Sequence, residues 1–488
     1  MIIFFNKIGI TMLLEKANQL LQQNKLKEAE FHFKAILNSN PENGEALFGL
    51  GRIAFRLERY DAAVYLLQKA CERLPHMLEP LHALADAFNG VHSPNDALTV
   101  LEYAKKLASH NPEPHYYLAQ HYLTHGELDK AHTTFAHALS IGVYPVTAYI
   151  LFELVQLGRF DKEHNYVSNL HHLLTQTSNL RLKMVCYYAL ANSYDALEDT
   201  EQAFNYFILA NKLQKKLSEF NTKDLTPFYD EIIKYNTEEF IASADKKFTG
   251  NITPVFIIGM PRSGSTLVEQ MLASHSQFSS LGESTSISNN AVAFIEQKTG
   301  VTYPQCLAHL TPDLIKKARE LYITTLKTAS PIRPFIINKL PSNYQSLGLI
   351  YILFPNAKFI NLSRDFNATA FSIFTNYFAE NEPYFCSLPE FKLYHKLYEK
   401  LMSHWHSFKE MPIYDVSYED LVSNPKEQLT QLLGFLNCIF EERCLAFYKQ
   451  KTPVTTLSKH AIRQPINNAA IAKWERYKTP LLKLLDEN

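Results

Sequence analysis

The chain has 488 residues, of which 46% are hydrophobic, enough to build two or three compact domains of about 150 residues each. Its 48 Lys and Arg residues nearly balance 49 Asp and Glu residues, which excludes the general basic excess typical of nucleic-acid-binding proteins. The longest apolar runs, such as 349–354, are far shorter than the roughly 18 residues of a membrane-spanning helix. We therefore predict no membrane span and no nucleic-acid partner.

The N-terminus and the cysteines predict a cytoplasmic protein. Apolar residues precede the first charge at Lys7, and no small-residue cleavage site follows, a pattern that does not fit a secretory signal. Met12 is an alternative start. The six cysteines form no Cys-x-x-Cys pair that could bind zinc or exchange disulfides, so we predict reduced thiols and no metal. Glycine, at 15 residues, is scarce against a usual ~7%, which favours helix.

A 34-residue period runs through the N-terminal part of the chain. Alanines recur at this interval, at Ala29, Ala63, Ala97 and Ala131. A small residue stands twelve positions before each alanine and a large one four positions after it, namely Ala17, Gly51, Ala85 and Ala119, and Phe33, Leu67, Leu101 and Phe135. Small residues let two helices approach closely while the large residue fills the groove between them. The pattern predicts stacked helix pairs.

This pattern resembles the tetratricopeptide repeat family across residues 10–215, with about six repeats. The resemblance implies an all-helical superhelix that presents a concave surface to peptide or protein partners. A plain all-helical domain is the alternative. We expect residues 1–220 to fold independently of the rest of the chain and to govern the choice of acceptor. A polar, irregular stretch at 216–250 is predicted to be a linker.

The C-terminal part begins with the arrangement of a phosphate-binding loop. The predicted strand Pro254–Ile258 leads into Gly259-Met-Pro-Arg-Ser-Gly-Ser-Thr266, and an amphipathic helix follows. Ser265 replaces the P-loop lysine that contacts β- and γ-phosphates, so the charge comes from Arg262. We predict a phosphate or sulfate site that comprises Arg262, Ser263, Gly264, Ser265 and Thr266. A coincidental glycine turn and a modified kinase-like loop remain alternatives.

Three further apolar runs each end in a polar residue, at Lys339, Arg364 and Tyr418. Ligands of open α/β sheets bind at the carboxyl ends of the strands, so these residues are predicted to share one crevice with Gly259. Ser372 follows Arg364 closely enough to form a second anion pocket with it. The sequence therefore predicts an α/β domain with a mainly parallel sheet at 251–488.

The segment 254–267 resembles the 5′-phosphosulfate loop of sulfotransferases that use 3′-phosphoadenosine 5′-phosphosulfate. Phe354-Pro-Asn-Ala-Lys-Phe359, followed by Arg364-Asp365 and Ser372, resembles their 3′-phosphate motif. Together with the helical repeats, the chain resembles tetratricopeptide-repeat sulfotransferases, and residues 252–475 are similar to tyrosylprotein sulfotransferases. The resemblance implies transfer of a sulfuryl group from this donor to a hydroxyl, without a metal.

The same resemblance implies a role for individual residues. Glu283 matches a catalytic glutamate, Lys339 a lysine that stabilises the transition state, and Ser458 a residue that offsets charge on the sulfuryl oxygens. Donor binding is implied for the loop residues given above and for five residues outside the loop: Arg364, Ser372, Tyr418, Arg463 and Lys473. Arg364, Ser372 and Lys473 are expected to select the 3′-phosphate, which ATP lacks.

The acceptor and two other functions stay open. Tyrosine in a peptide, a glycan hydroxyl and a small metabolite all present an attacking oxygen, and the repeats favour a protein acceptor. One alternative is a non-catalytic repeat scaffold with a vestigial nucleotide-binding domain. The other is an altered P-loop kinase, which would need a metal-holding carboxylate and a phosphate-binding lysine that the sequence does not offer.

Overall fold

The computed structural model describes residues 2–142, 145–158, 166–218, 222–246, 248, 250–329, 331–378, 386–450, 456, 461–467 and 469–486. Within these ranges, twelve helices precede residue 218: α1 (Ile2–Gln22), α2 (Leu26–Ser39), α3 (Gly44–Arg56), α4 (Tyr60–Arg73), α5 (Leu78–Gly90), α6 (Pro94–Leu107), α7 (Pro112–Thr124), α8 (Leu128–Ile141), α9 (Thr147–Gln156), α10 (Val167–Gln176), α11 (Leu180–Ala196) and α12 (Thr200–Leu217). The predicted helical N-terminal region is confirmed, and the count of about six repeats stays a prediction.

The small and large residues of the 34-residue period contact each other. A Cβ atom added to Gly51 of α3 would lie 2.6 Å from Leu67 of α4. Gly49 lies outside the period, but a Cβ on it would lie 2.3 Å from the ring of Phe33, a large residue of the period. Those distances leave no room for a larger residue at either glycine. The period therefore records where neighbouring helices approach most closely.

Residues 1–123 and 127–146 form one compact unit, called the first unit below. Within it, His82 of α5 is 4% exposed, and its ring stacks on Tyr117 with 3.8 Å between the ring centroids. Burial lowers the pKa of His82 from 6.5 to about 4. The folded unit thus keeps this imidazole neutral at a pH where the unfolded chain protonates it.

This histidine predicts an acid-sensitive first unit. Because the unfolded state binds the extra proton, the stability from His82 is complete above pH 6.5 and is lost as the pH falls toward 4. Relative to His82→Gln, we expect the free energy of unfolding to fall by about 3 kcal/mol across that window, measured by urea unfolding at each pH. His110→Gln, at an exposed histidine of this unit, should keep the wild-type pH dependence. Equal slopes for wild type and His82→Gln would contradict the assignment.

The C-terminal part is built on a five-stranded sheet of order β2-β3-β1-β4-β5 in which every pairing is parallel. The strands are β1 (Thr253–Gly259), β2 (Phe278–Ser280), β3 (Phe335–Lys339), β4 (Lys358–Ser363) and β5 (Ile413–Ser417). The helices here are α13 (Leu225–Tyr235), α14 (Glu238–Ala242), α15 (Ser265–Ala273), α16 (Ala293–Thr299), α17 (Pro312–Leu326), α18 (Leu347–Leu353), α19 (Phe366–Phe374), α20 (Leu388–Ser407), α21 (Tyr418–Ser423), α22 (Pro425–Phe435), α23 (Ala469–Ala472) and α24 (Lys478–Asp486). The predicted parallel sheet is confirmed.

Side chains of β1 alternate between two hydrophobic cores. Phe256 and Ile258 belong to one core, and Val255 and Ile257 belong to the other. A parallel strand that is covered on both faces appears in sequence as a continuous apolar run.

In the described part of the chain, no helix is both long enough and apolar enough to cross a membrane.

The second compact unit comprises residues 124–126 and 147–488. It includes helices of the repeat pattern: Asn211 of α12 donates from Nδ2 to the carbonyl of Phe374 in α19 over 2.8 Å. The predicted linker 216–250 contains α13 and α14, whose Tyr229 and Ile241 are buried in the core. The contacts thus place the division between the two units after residue 146. The sequence places domain boundaries later, with the bounds 10–215, 216–250 and 251–488, and those bounds remain a prediction.

Candidate active site

The register of the sheet aligns the ends of its strands. Ile257 pairs with Lys339, Gly259 pairs with Leu362, and Ser363 pairs with Ser417. Arg364 directly follows Ser363, and Tyr418 directly follows Ser417. Loops that follow parallel strands leave from one edge of the sheet, so the residues predicted at the strand ends lie along that edge.

The loop between β1 and α15 needs glycine at both of its ends. Gly259 has φ 141° and Gly264 has φ 101°, conformations that L-residues rarely adopt. A Cβ at Gly259 would lie 2.5 Å from the carbonyl oxygen of Leu362, and one at Gly264 would lie 2.5 Å from the ring of Tyr418. Between them, the Ser263 hydroxyl is buried and has no hydrogen-bond partner in the described residues. The loop thus offers an unused polar group beside a helix N-terminus, which favours an anion.

Two arginines meet beside this loop. Arg262 Nε donates to Ser372 Oγ over 3.1 Å, and Arg364 Nη1 donates to the Arg262 carbonyl over 2.9 Å. The Arg364 guanidinium lies 4.6 Å from the ring centroid of Tyr418. Burial, and then the nearby Arg364, lower the pKa of Arg262 to about 10, so its guanidinium is a cation at neutral pH. Arg364 adds a second guanidinium charge. An oxyanion with two or more charges would relieve their repulsion.

Glu283 reaches Lys339 because of a strand that the sequence did not predict. The stretch after the loop helix forms the edge strand β2, which pairs with β3. Lys339 N donates to the Gly282 carbonyl over 2.9 Å, so the next residue, Glu283, lies beside Lys339. The Lys339 ammonium forms an ion pair with Glu283. The Lys339 side chain is 0% exposed and that of Glu283 is 45% exposed, so the carboxylate lies on the open side of the pair.

A second carboxylate, which sequence reasoning missed, lies behind this pair. Glu269 of α15 places Oε2 3.7 Å from Lys339 Nζ, and its side chain is 5% exposed. Ser280 donates to Glu269 Oε1 over 2.6 Å, and Gly282 N donates to Ser280 Oγ over 2.9 Å. The sequence shows only a glutamate within the predicted helix after the loop, with nothing to mark it as buried.

A cavity of about 420 Å³ adjoins Arg364 between β4, α19 and α20. Met260, Thr369 and Tyr398 contribute to its lining. The hydroxyl of Thr369 is buried and has no hydrogen-bond partner among the described residues. Arg364, at the end of β4, therefore borders a partly polar cavity.

The C-terminal residues of the predicted site are less closely assembled. Lys473 Nζ forms an ion pair with Asp195 over 2.8 Å, which holds the ammonium at α11. Its 3₁₀ turn, Lys473–Tyr477, packs on α19 through Tyr477, whose ring centroid lies 4.9 Å from that of Phe371. Two predicted site residues remain. Arg463 Nη1 donates to the Gln450 carbonyl, and Ser458 lies outside the described residues.

The start of α15 has features of an anion-binding site. Ser265 and Thr266 are buried at the start of α15, where first-turn N–H groups lack partners inside the helix, and Thr266 Oγ1 lies 3.3 Å from Thr456 Oγ1. No group of three His, Cys, Asp or Glu side chains that could hold a metal ion occurs in the described residues.

Known proteins resemble parts of this chain. An uncharacterized protein of Aquifex aeolicus is 31% identical over 301 residues, which cover 59% of this chain and 40% of that protein. Protein-tyrosine sulfotransferase 2 of Gallus gallus is 26% identical over 278 residues, which cover 54% of this chain and 72% of that protein. The chain thus spans less than half of the first relative's length.

Solved structures and family models also resemble parts of this chain. A sulfotransferase domain from the Synechococcus PCC 7002 olefin synthase is 22% identical with a TM-score of 0.35, and covers 50% of this chain and 97% of that one. A tetratricopeptide-repeat protein of Thermus thermophilus is 22% identical with a TM-score of 0.28, and covers 41% and 98%. Residues 14–77 match the tetratricopeptide repeat, and residues 254–442 match the sulfotransferase family. This chain therefore joins a tetratricopeptide-repeat region to a domain of the sulfotransferase family.

Proposed function

We propose that this chain transfers a sulfuryl group from 3′-phosphoadenosine 5′-phosphosulfate to a hydroxyl acceptor. The observation that carries the proposal is the Glu283–Lys339 ion pair at the same sheet edge as the cationic cluster of Arg262 and Arg364. A base with a buried ammonium next to an anion-binding loop supplies the groups that transfer of an anionic group to a hydroxyl needs.

The donor would lie along the strand ends. The loop amides, Ser263, Ser265, Thr266 and Arg262 would hold the 5′-phosphosulfate, while Arg364 and Ser372 would bind the 3′-phosphate. Tyr418, next to Arg364, would contact the nucleotide, and Arg463 would belong to the same donor site. When the donor binds, the Lys473 ammonium would leave Asp195 and pair with the 3′-phosphate.

In the transfer step, the acceptor oxygen forms a bond to sulfur as the bond from sulfur to the bridging phosphate oxygen breaks. The acceptor's proton goes to Glu283, and the electron pair of the broken bond stays on the 3′,5′-bisphosphate. Lys339 would offset the charge that grows on the bridging oxygen, and Ser458 that on the sulfuryl oxygens. In-line positioning of these groups lowers the barrier without a metal.

A protein tyrosine is the acceptor that we favour. Two protein-tyrosine sulfotransferases, from Gallus gallus and Rattus norvegicus, resemble the C-terminal part of this chain, and tetratricopeptide repeats commonly bind peptides. The half-exposed Glu283 carboxylate is accessible to a hydroxyl that approaches from solvent. A glycan hydroxyl and a small metabolite are the competing acceptors, and assays with each class separate the three.

Nucleotide selectivity tests the donor assignment. Wild type should bind adenosine 3′,5′-bisphosphate more tightly than ADP, and Arg364→Ala should weaken bisphosphate binding by about 10- to 100-fold, since a charge-assisted contact contributes about 1.5–3 kcal/mol. Calorimetry with both nucleotides measures this effect. Arg443→Ala, at an exposed arginine paired with Glu441, is the control and should bind like wild type. Equal wild-type affinity for the two nucleotides would refute the 3′-phosphate site.

A further inference from the structure

The Lys339 ammonium is fully buried and forms ion pairs with two carboxylates. Glu283 contacts it from the segment after β2, and Glu269 from α15. Only Glu283 is substantially exposed, at 45% of its side chain against 5% for Glu269. One carboxylate is thus open to an acceptor, and the other lies where no acceptor can reach it.

The buried Glu269 carboxylate contacts two side chains, Ser280 and Lys339. Its helix begins directly after the anion-binding loop, and its Oε1 accepts the hydrogen bond from Ser280 of β2. Ser280 in turn accepts from the backbone of Gly282, the residue before Glu283. Glu269 therefore links the loop helix, Lys339 and the segment that carries Glu283.

The charges in this cluster change during the proposed reaction. When Glu283 accepts the acceptor's proton, its ion pair with Lys339 becomes a contact with a neutral acid. A buried ammonium without a counter-charge is costly and tends to lose its proton. In this state, Glu269 is the remaining carboxylate beside Lys339 among the described residues.

We propose that Glu269 is a positioning residue that keeps Lys339 charged and in place when Glu283 takes up the acceptor's proton. This inference rests on the proposed function. Burial raises the pKa of the Glu269 carboxyl, while Lys339 and Ser280 oppose that rise, so the carboxylate and the ammonium support each other's charge. The charged groups that face Lys339 among the described residues are the carboxylates of Glu269 and Glu283.

The test uses Glu283→Gln as a stable mimic of the protonated base in the full-length chain. With 13Cε-labelled lysine, NMR reports the proton on Lys339 directly, and Lys339→Met assigns its resonance. We expect deprotonation in Glu283→Gln/Glu269→Gln to occur about one to two pH units lower than in Glu283→Gln alone. Glu283→Gln/Ser280→Ala is the control, because it removes the hydrogen bond but keeps the charge, and its shift should stay below about half a unit.

Glu269→Gln alone serves if the double variant does not fold. The basic limb of the pH–rate profile of this variant should move to lower pH by about one unit. Its affinity for the bisphosphate at neutral pH should be unchanged. The inference would be overturned if Lys339 lost its proton at the same pH with and without Glu269. It would also be overturned if the Ser280→Ala control shifted this pH as much as Glu269→Gln does. Wild type without sulfuryl transfer would refute the proposed function, while the NMR titration would still decide the part played by Glu269.

Discussion

Glu283→Gln is expected to lower sulfuryl transfer by about 10²–10⁴-fold, the usual range for a lost general base. Glutamine has almost the same shape as glutamate but cannot accept the acceptor's proton. Lys339 keeps a counter-charge in Glu269, so the variant should fold. Bisphosphate affinity should change little, because the anion-binding loop and Arg364 are intact. Transfer rate and affinity are measured on one preparation at saturating donor.

Glu410→Gln is the matched control for this substitution. Glu410 is also 45% exposed and also paired with a lysine, Lys246, over 2.7 Å. An effect that comes only from breaking a half-exposed ion pair would appear in both variants. We expect Glu410→Gln to keep the wild-type rate. A Glu283→Gln enzyme that retains more than about a third of that rate, a smaller loss than general-base removal causes, would mean that another group is the base.

The repeat region could be predicted because its signal is local. Small and large residues recur wherever two successive helices touch, as at Gly51 and Leu67, and each repeat reproduces that contact within a short stretch of chain. The buried strands could be predicted for a similar reason, since covering both faces of a parallel sheet produces apolar runs such as β1. Polar residues directly after such runs, Lys339 and Arg364, then identify the edge that carries the crevice.

Contacts between distant segments could not be predicted in this way. β2 has three residues, Phe-Ser-Ser, which is too short to show alternation, and its pairing with β3 is what brings Glu283 to Lys339. A glutamate such as Glu269 within a helix is normally expected in solvent. Its burial depends on Lys339, which arrives from another part of the chain. Asp195 and Lys473 pair for the same reason, across most of the second unit.

The domain boundary also depends on tertiary contacts. The period describes how the helices of one repeat pack, but it does not say which core covers the outer faces of the last helices. Phe204 of α12 lies 5.6 Å from Phe374 and 6.0 Å from Tyr477, measured between ring centroids. The last repeat helices therefore share a core with the sulfotransferase-family domain, which the 34-residue pattern alone cannot indicate.

This shared core predicts that residues 251–488 alone will not fold stably, whereas residues 147–488 will. The shorter chain uncovers Phe374 and Tyr477, each worth about 2–3 kcal/mol of burial, and loses the Asn211 hydrogen bond, worth about 1 kcal/mol. It also loses α13, whose Tyr229 hydroxyl lies 2.6 Å from that of Tyr344. These losses approach a typical total stability of about 5–15 kcal/mol.

Thermal unfolding of the two truncated chains tests the shared core. Residues 147–488 should unfold in one cooperative transition and bind adenosine 3′,5′-bisphosphate, because the strand ends and the arginine cluster lie within that unit. Residues 251–488 should show no cooperative transition and bind no nucleotide. In the longer chain, Asn211→Ala together with Phe204→Ala should lower the melting temperature strongly, because the two changes remove contacts with α19. Lys212→Ala, which replaces an exposed residue of α12, is the control and should leave the melting temperature unchanged. If residues 251–488 unfold cooperatively within a few degrees of the longer chain, the last repeat helices are dispensable and the sequence-based boundary at 250 is the structural one.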